Sequence, residues 1–158
     1  MNHGTLRSTL LRALTLSALV TAASLAFAGA AAAQKVPDKE LQEVLIKTSL
    51  ITFNDANVTK NYTVLHAKLS QPFRDQFTPD KLKDSFKPFA DAHVDFDIIA
   101  AKPPILTEPA KVDDEGKLTL RGYFDTKPNR VSYDLAFIRS EGEWKLIRLN
   151  VDVKKPGE

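Results

Sequence analysis

The apolar residues of this chain change their spacing partway along it, and that change restricts the folds open to it more than any motif does. Ahead of Asp91 they recur at steps of three and four; from His93 onward they alternate. The first spacing is that of a helix with one dry stripe, the second that of a strand with one dry face. Helices gathered first and strands gathered second predict an α+β domain, with N-terminal helices packed on a curved antiparallel β-sheet.

Within the helical part, Asp38 follows Pro37 and is placed to cap a helix over residues 38 to 54, whose apolar stripe is Leu41, Val44, Leu45, Thr48 and Ile51. Asn54, Asp55, Ala56 and Asn57 are expected to break it, because short polar side chains compete for main-chain hydrogen bonds. A second helix from about Lys60 to Leu69 sets Val64, Leu65 and Leu69 on one side. Pro72 and Pro79 suit the first turns of two short helices, with Ser70 or Gln71 and Thr78 as caps, and Pro88 ends or kinks the last of them.

Beyond Asp91, Val94, Phe96 and Ile98 alternate with His93, Asp95 and Asp97, which predicts a first strand. Ile105 to Val112 is a second, weakened by Pro103, Pro104 and Pro109 and therefore expected to be irregular at an edge. After the turn at Asp113-Asp114-Glu115-Gly116, Leu118, Leu120, Gly122 and Phe124 point one way while Lys117, Thr119, Arg121 and Tyr123 point the other. Lys127-Pro128-Asn129 turns the chain into a strand carrying Val131, Tyr133, Leu135 and Phe137. Glu141-Gly142 turns it again into Trp144 to Val153, which completes a meander of three long strands.

Residues 1 to 33 read as an export leader. Arg7 and Arg12 precede an apolar run from Ala13 to Phe27, which small residues from Ala28 to Ala33 close. That is the order a signal peptidase reads, and the Ala31-Ala32-Ala33 triplet sets the cut between Ala33 and Gln34. The expected mature protein is residues 34 to 158, a single periplasmic or secreted domain of about 125 residues. The leader's run is short for a span and no second one follows, so no membrane span is expected in the mature chain. Cleavage removes two of the 22 basic residues and none of the 20 acidic ones, leaving a formally neutral protein. Such a surface has no long-range attraction for phosphate backbones, which argues against nucleic acid as a partner. With no cysteine, thiol catalysis, disulfides and thiolate metal sites are excluded.

The long opening helix, the short second helix with Leu65-His66-Ala67-Lys68-Leu69-Ser70, the segment Pro72-Phe73-Arg74-Asp75-Gln76-Phe77 and the closing Glu143-Trp144-Lys145-Leu146-Ile147-Arg148-Leu149-Asn150-Val151 together resemble the nuclear transport factor 2-like superfamily, or cystatin-like cone. The resemblance covers nearly the whole mature chain, but its segments are packing and turn signals and carry no catalytic signature. It implies a pocket between the helices and the concave sheet. Its members include ketosteroid isomerases, scytalone dehydratases, polyketide cyclases and non-enzymatic binding or assembly modules. Homodimerisation through the outer sheet face is frequent among its members, and Thr119, Arg121, Tyr123, Ser132, Asp134, Ala136 and Ile138 are expected on that face here; its mixed polarity fits a monomer almost as well.

The residues able to carry chemistry are few. His66, turned toward a pocket, is a general base near neutral pH; turned outward, it is a boundary imidazole. His93, Asp95 and Asp97 share a strand face and could shift one another's proton affinities, but Val94, Phe96 and Ile98 are the better candidates for the interior. Residues two apart on a strand do not surround an ion by themselves, so no metal is expected. Asp113, Asp114 and Glu115 lack the alternating ligands of a calcium loop. Tyr62, Tyr123, Tyr133 and Trp144 offer hydroxyl or indole donors to a carbonyl, or else pack in the core. The triplets Asn57-Val58-Thr59 and Asn61-Tyr62-Thr63 match glycosylation acceptors or are loop residues. Serine elbows and glycine-rich phosphate loops are absent.

These features lead first to a non-catalytic exported binding domain without cofactor, whose pocket (Tyr62, His66, Tyr133, Trp144) or outer sheet takes a small apolar molecule or an envelope protein. The competing expectation is a cofactor-free isomerase, dehydratase or cyclase acting on a hydrophobic ring. There His66 or Asp97 abstracts a proton and Tyr133 or Tyr62 supports the enolate. A third is an assembly module of an envelope complex, docking through its sheet.

Overall fold

A long helix, α1 (Lys39–Thr59), lies against the inner face of an antiparallel sheet, in a computed structural model that describes residues 35–154. The expected leader lies outside the described residues, as does the chain after Lys154. Four short helices follow: α2 (Thr63–Lys68), α3 (Gln71–Arg74), α4 (Pro79–Ser85) and α5 (Lys87–Asp91). A 3₁₀ turn (Asp97–Ala101) then leads to β1 (Ile105–Leu106), β2 (Lys111–Val112), β3 (Leu118–Phe124), β4 (Arg130–Ser140) and β5 (Glu143–Lys154). The arrangement is α+β and the sheet is not closed into a barrel. Its order is β1-β3-β4-β5, with β2 also pairing β3, opposite Leu118 and Thr119. None of the described helices is long and apolar enough to cross a membrane.

The meander follows its alternation. Leu118, Leu120 and Phe124 on β3 and Val131, Tyr133, Leu135 and Phe137 on β4 are buried, while the residues of the opposite face, Ala136 excepted, are more open. Leu120, Leu135 and Leu149 stand opposite one another across three strands. From above, Ile46, Leu50 and Phe53 of α1, Leu65 of α2 and Leu82 of α4 complete the core. Phe53 meets Phe86 and Phe89 edge-on, with centroids 4.8 and 5.1 Å apart. Each such ring removed from water contributes about 1.5–3 kcal/mol. Gly122 is the one place on β3 where a side chain cannot fit: a Cβ there would lie 2.1 Å from the Ile105 carbonyl oxygen and 2.6 Å from the Tyr133 hydroxyl. A register shift between Ala136 and Phe137 leaves Ile147 as the extra residue of β5, a bulge of the kind that bends a sheet.

Three expectations are corrected. The Asn54–Asn57 stretch does not break α1, because its two asparagine side chains find partners that leave the helical ladder intact. Asn54 donates its amide to Asp95 Oδ1 at 2.8 Å and accepts from the Phe96 N–H at 3.0 Å; Asn57 donates to the Phe53 carbonyl and accepts from the Tyr62 hydroxyl. With those groups occupied they no longer compete for the helix, which ends instead at Lys60 in a left-handed conformation. The buried stripe of α1 is also a different one. Leu41 and Val44 are 40% and 48% exposed, and the buried side carries Gln42, Ile46, Ser49, Leu50, Phe53 and Ala56. Both stripes have helical spacing, and the one with the aromatic ring removes more surface from water.

Residues 93–98 form no strand. His93 has a positive φ of 50°, and the Asp95 carboxylate accepts from both Asn54 and the Asp97 N–H, which curls the chain into the 3₁₀ turn. Burial there has a step of three, Phe96 and Ile99, and leaves Ile98 52% exposed. The second, proline-weakened strand does appear as the irregular edge it was expected to be, split into β1 and β2 around Pro109.

Candidate functional site

Between β1 and β2 the chain arches off the sheet, because proline offers no N–H to a ladder and Pro109 sits at the crown. Opposite the arch, Asp38 caps α1 through the Leu41 N–H at 2.8 Å, and Gln42 Nε2 donates to the Pro37 carbonyl at 2.7 Å. That bond holds Val36 and Pro37 beside the helix. A groove of about 390 Å³ is left between arch and helix. Its walls are Val36 and Ile46 on one side and Pro104, Leu106, Pro109 and Ala110 on the other. Lys39, Gln42 and Glu43 are its polar groups. Glu43 is held by Lys47 at 2.7 Å, and the same ammonium donates to the Ala100 carbonyl, so the charged side of the groove is tied to the 3₁₀ turn. The arrangement buries apolar surface and orients it with a few polar atoms. It presents no nucleophile activated by a base.

The residues expected to share a pocket have separate surroundings. Tyr62 is buried in parallel with the Phe86 ring, its hydroxyl donating to Asn57 Oδ1 at 2.8 Å, and burial raises its pKa. It borders a recess of about 220 Å³ whose other residues include Lys60, Lys83 and Lys87. His66 is half-buried on α2, with Nε2 3.5 Å from the Arg74 carbonyl oxygen. Tyr133 lies in the core beside Phe124; its hydroxyl has no hydrogen-bond partner among the described residues, and burial pushes its pKa well up. Trp144 is half-buried at the start of β5 under the Arg139 guanidinium, and with Val36, Pro37 and Leu41 it lines a third recess. Asp97 is exposed at the head of the 3₁₀ turn. Neither His66 nor Asp97 is hydrogen-bonded to a tyrosine.

His93 and Asp95 likewise part company, His93 Nδ1 meeting the Asp91 carbonyl at 2.7 Å while Asp95 faces Asn54. No three His, Asp or Glu side chains converge among the described residues. Asn57 is buried and bonded through both ends of its amide, whereas Asn61 is exposed and accepts from the Thr63 N–H. On the outer sheet face Asp134 accepts from Arg148 at 2.7 Å and pairs with Arg121 at 3.2 Å, Arg121 also bonds Glu108, and Ala136 is fully buried.

The groove itself was not among the expected sites. Its signal was present in Pro103, Pro104 and Pro109 around Leu106, a pattern that lifts chain away from a sheet edge while keeping it apolar. Comparison with known proteins finds no family model, curated protein or solved structure that matches this chain.

Proposed function

We propose that this chain is an exported, non-catalytic member of the nuclear transport factor 2-like superfamily that binds a small apolar molecule in the groove between α1 and the β1–β2 arch. The observation that carries the reading is the convergence of six apolar walls on a space of about 390 Å³, within the range of roughly 300–1,000 Å³ typical of small-molecule sites. Helices ahead of a three-stranded meander support the superfamily, and the leader-like first 33 residues support export. The isomerase reading is less supported, since it needs an acid or base beside a donor, and His66, Asp97, Tyr62 and Tyr133 each have other neighbours.

Native mass spectrometry of the protein recovered from its export compartment tests this directly. The expected spectrum starts at Gln34 and carries an adduct of small mass, which a Leu106→Glu variant loses while keeping its circular dichroism. Leu106 is exposed enough for the change to spare the core. An adduct that persists in Leu106→Glu moves the ligand elsewhere, and absence of any adduct together with no uptake of an apolar fluorescent probe removes the reading.

A further inference from the structure

The far edge of the sheet is open. Among the described residues, β5 ends the strand order and has β4 as its only full partner. On its other side there is a single bridge, Leu69 to Leu146, where the Ser70 N–H donates to the Leu146 carbonyl at 2.8 Å. From Ile147 to Lys154 no main-chain hydrogen bond among the described residues reaches that side. Leu149, Val151 and Val153, on the inner face, are only half-buried. A row of free N–H and C=O groups on a regular strand is a template for another strand.

We propose that the occupant is a second copy of this chain: two β5 strands pair antiparallel across a twofold axis at Asn150, so that the sheet runs on from one copy into the other. The sequence of β5 selects both the partner and the register. Directly opposed residues of an antiparallel pair share a face, so outer residues must meet outer residues. With the axis at Asn150, Arg148 of each copy faces Asp152 of the other, twice over, and Leu149 faces Val151 on the inner side. Moving the axis to Val151 sets Arg148 against Lys154, and moving it to Asp152 sets two carboxylates together. An axis at Leu149 sets Arg148 against Asn150 and loses the charge pairs.

The groups that would meet are prepared for it. Asp134 holds the Arg148 guanidinium on the outer face at 2.7 Å. Among the described residues Asp152 is engaged only by exposed Lys154 at 3.0 Å, a contact of little worth in water and readily exchanged. The pairing is self-complementary, as a closed twofold dimer requires. It uses the edge of the sheet and leaves the ligand groove untouched, so it stands or falls independently of the binding reading.

The chain has no cysteine, so one introduced thiol reports the register. Across an axis at residue 150 the two Cα atoms lie about 4.5–5.5 Å apart, within disulfide range. At residue 152 they are offset by roughly 13 Å along the strand. Sedimentation velocity of the purified protein is expected to show a concentration-dependent dimer, and mild oxidation to link Asn150→Cys at least about tenfold faster than Asp152→Cys. Asp152→Arg is expected to raise the dimer dissociation constant roughly tenfold or more by opposing like charges. A monomer at every concentration, equal linking at both positions, or a dimer indifferent to Asp152→Arg each overturns the proposal.

Discussion

The β3–β5 meander and the segment from His93 to Val112 are held by different forces. In the meander, identity is nearly interchangeable within a pattern: any apolar residue at Leu120 or Leu135 serves if it fills the space, because burial is non-directional. In the crossing segment, single groups decide. Asn54 fixes Phe96 and Asp95, Asp95 turns Asp97, and prolines lift the arch from β3. The candidate groove lies against the second region and is walled by it. A scaffold built by pattern thus carries a site built by particular hydrogen bonds and prolines, and damage to the two should look different.

The largest expected effect tests the meander. Leu135→Ala, at a fully buried position between Leu120 and Leu149, is expected to cost about 2–5 kcal/mol of stability. Urea denaturation should show one cooperative transition moved to lower midpoint, since all three strands share that layer. A loss below the range, or unfolding in two steps, would mean that the meander is not the common core.

Asn54→Ala is expected to cost less, about 1–3 kcal/mol, by leaving the Phe96 N–H and one Asp95 bond unmade. Its signature is local: hydrogen exchange should accelerate across residues 95–101 while the amides of β4 stay protected. Uniform acceleration in both regions would erase the distinction between them.

That distinction also explains what could be read in the amino-acid order. Alternation announces β3, β4 and β5 because each side chain needs only to know which face it is on, and the turns at Gly116 and Gly142 carry their own positive φ. Asp38 as a cap was equally legible, being local. The inward stripe of α1 was not, since Leu41 and Val44 have the same helical spacing as Ile46 and Phe53, and only the sheet's shape chooses between them. Asn54 and Asn57 look like helix breakers until their partners, about forty and five residues away respectively in the chain, are in place. Residues 93–98 alternate as a strand does, yet their hydrogen bonds go to α1. The groove needed the misread helix face together with the proline arch, which the spacing of prolines showed as an irregular edge but not as the wall of a site.

The smallest effect concerns Tyr133, which belongs to the meander by position but carries a directional group. Its hydroxyl is buried and has no partner among the described residues, so Tyr133→Phe removes a polar atom without orphaning another and is expected to leave stability at pH 7 unchanged within about 1 kcal/mol. At high pH the variant should separate from the parent. Burial raises the Tyr133 pKa above its ordinary value of 10, so the folded chain keeps a proton that the unfolded chain gives up. Stability is therefore complete below pH 10 and falls as pH rises beyond it, because the unfolded state then binds fewer protons. Tyr62, also raised by burial, contributes in the same direction and remains in the variant. Thermal melts from pH 8 to 11 should show a shallower alkaline decline for Tyr133→Phe than for the parent. Equal declines would place a partner at the hydroxyl in solution and make Tyr133, like Asn54, a residue held by a specific bond.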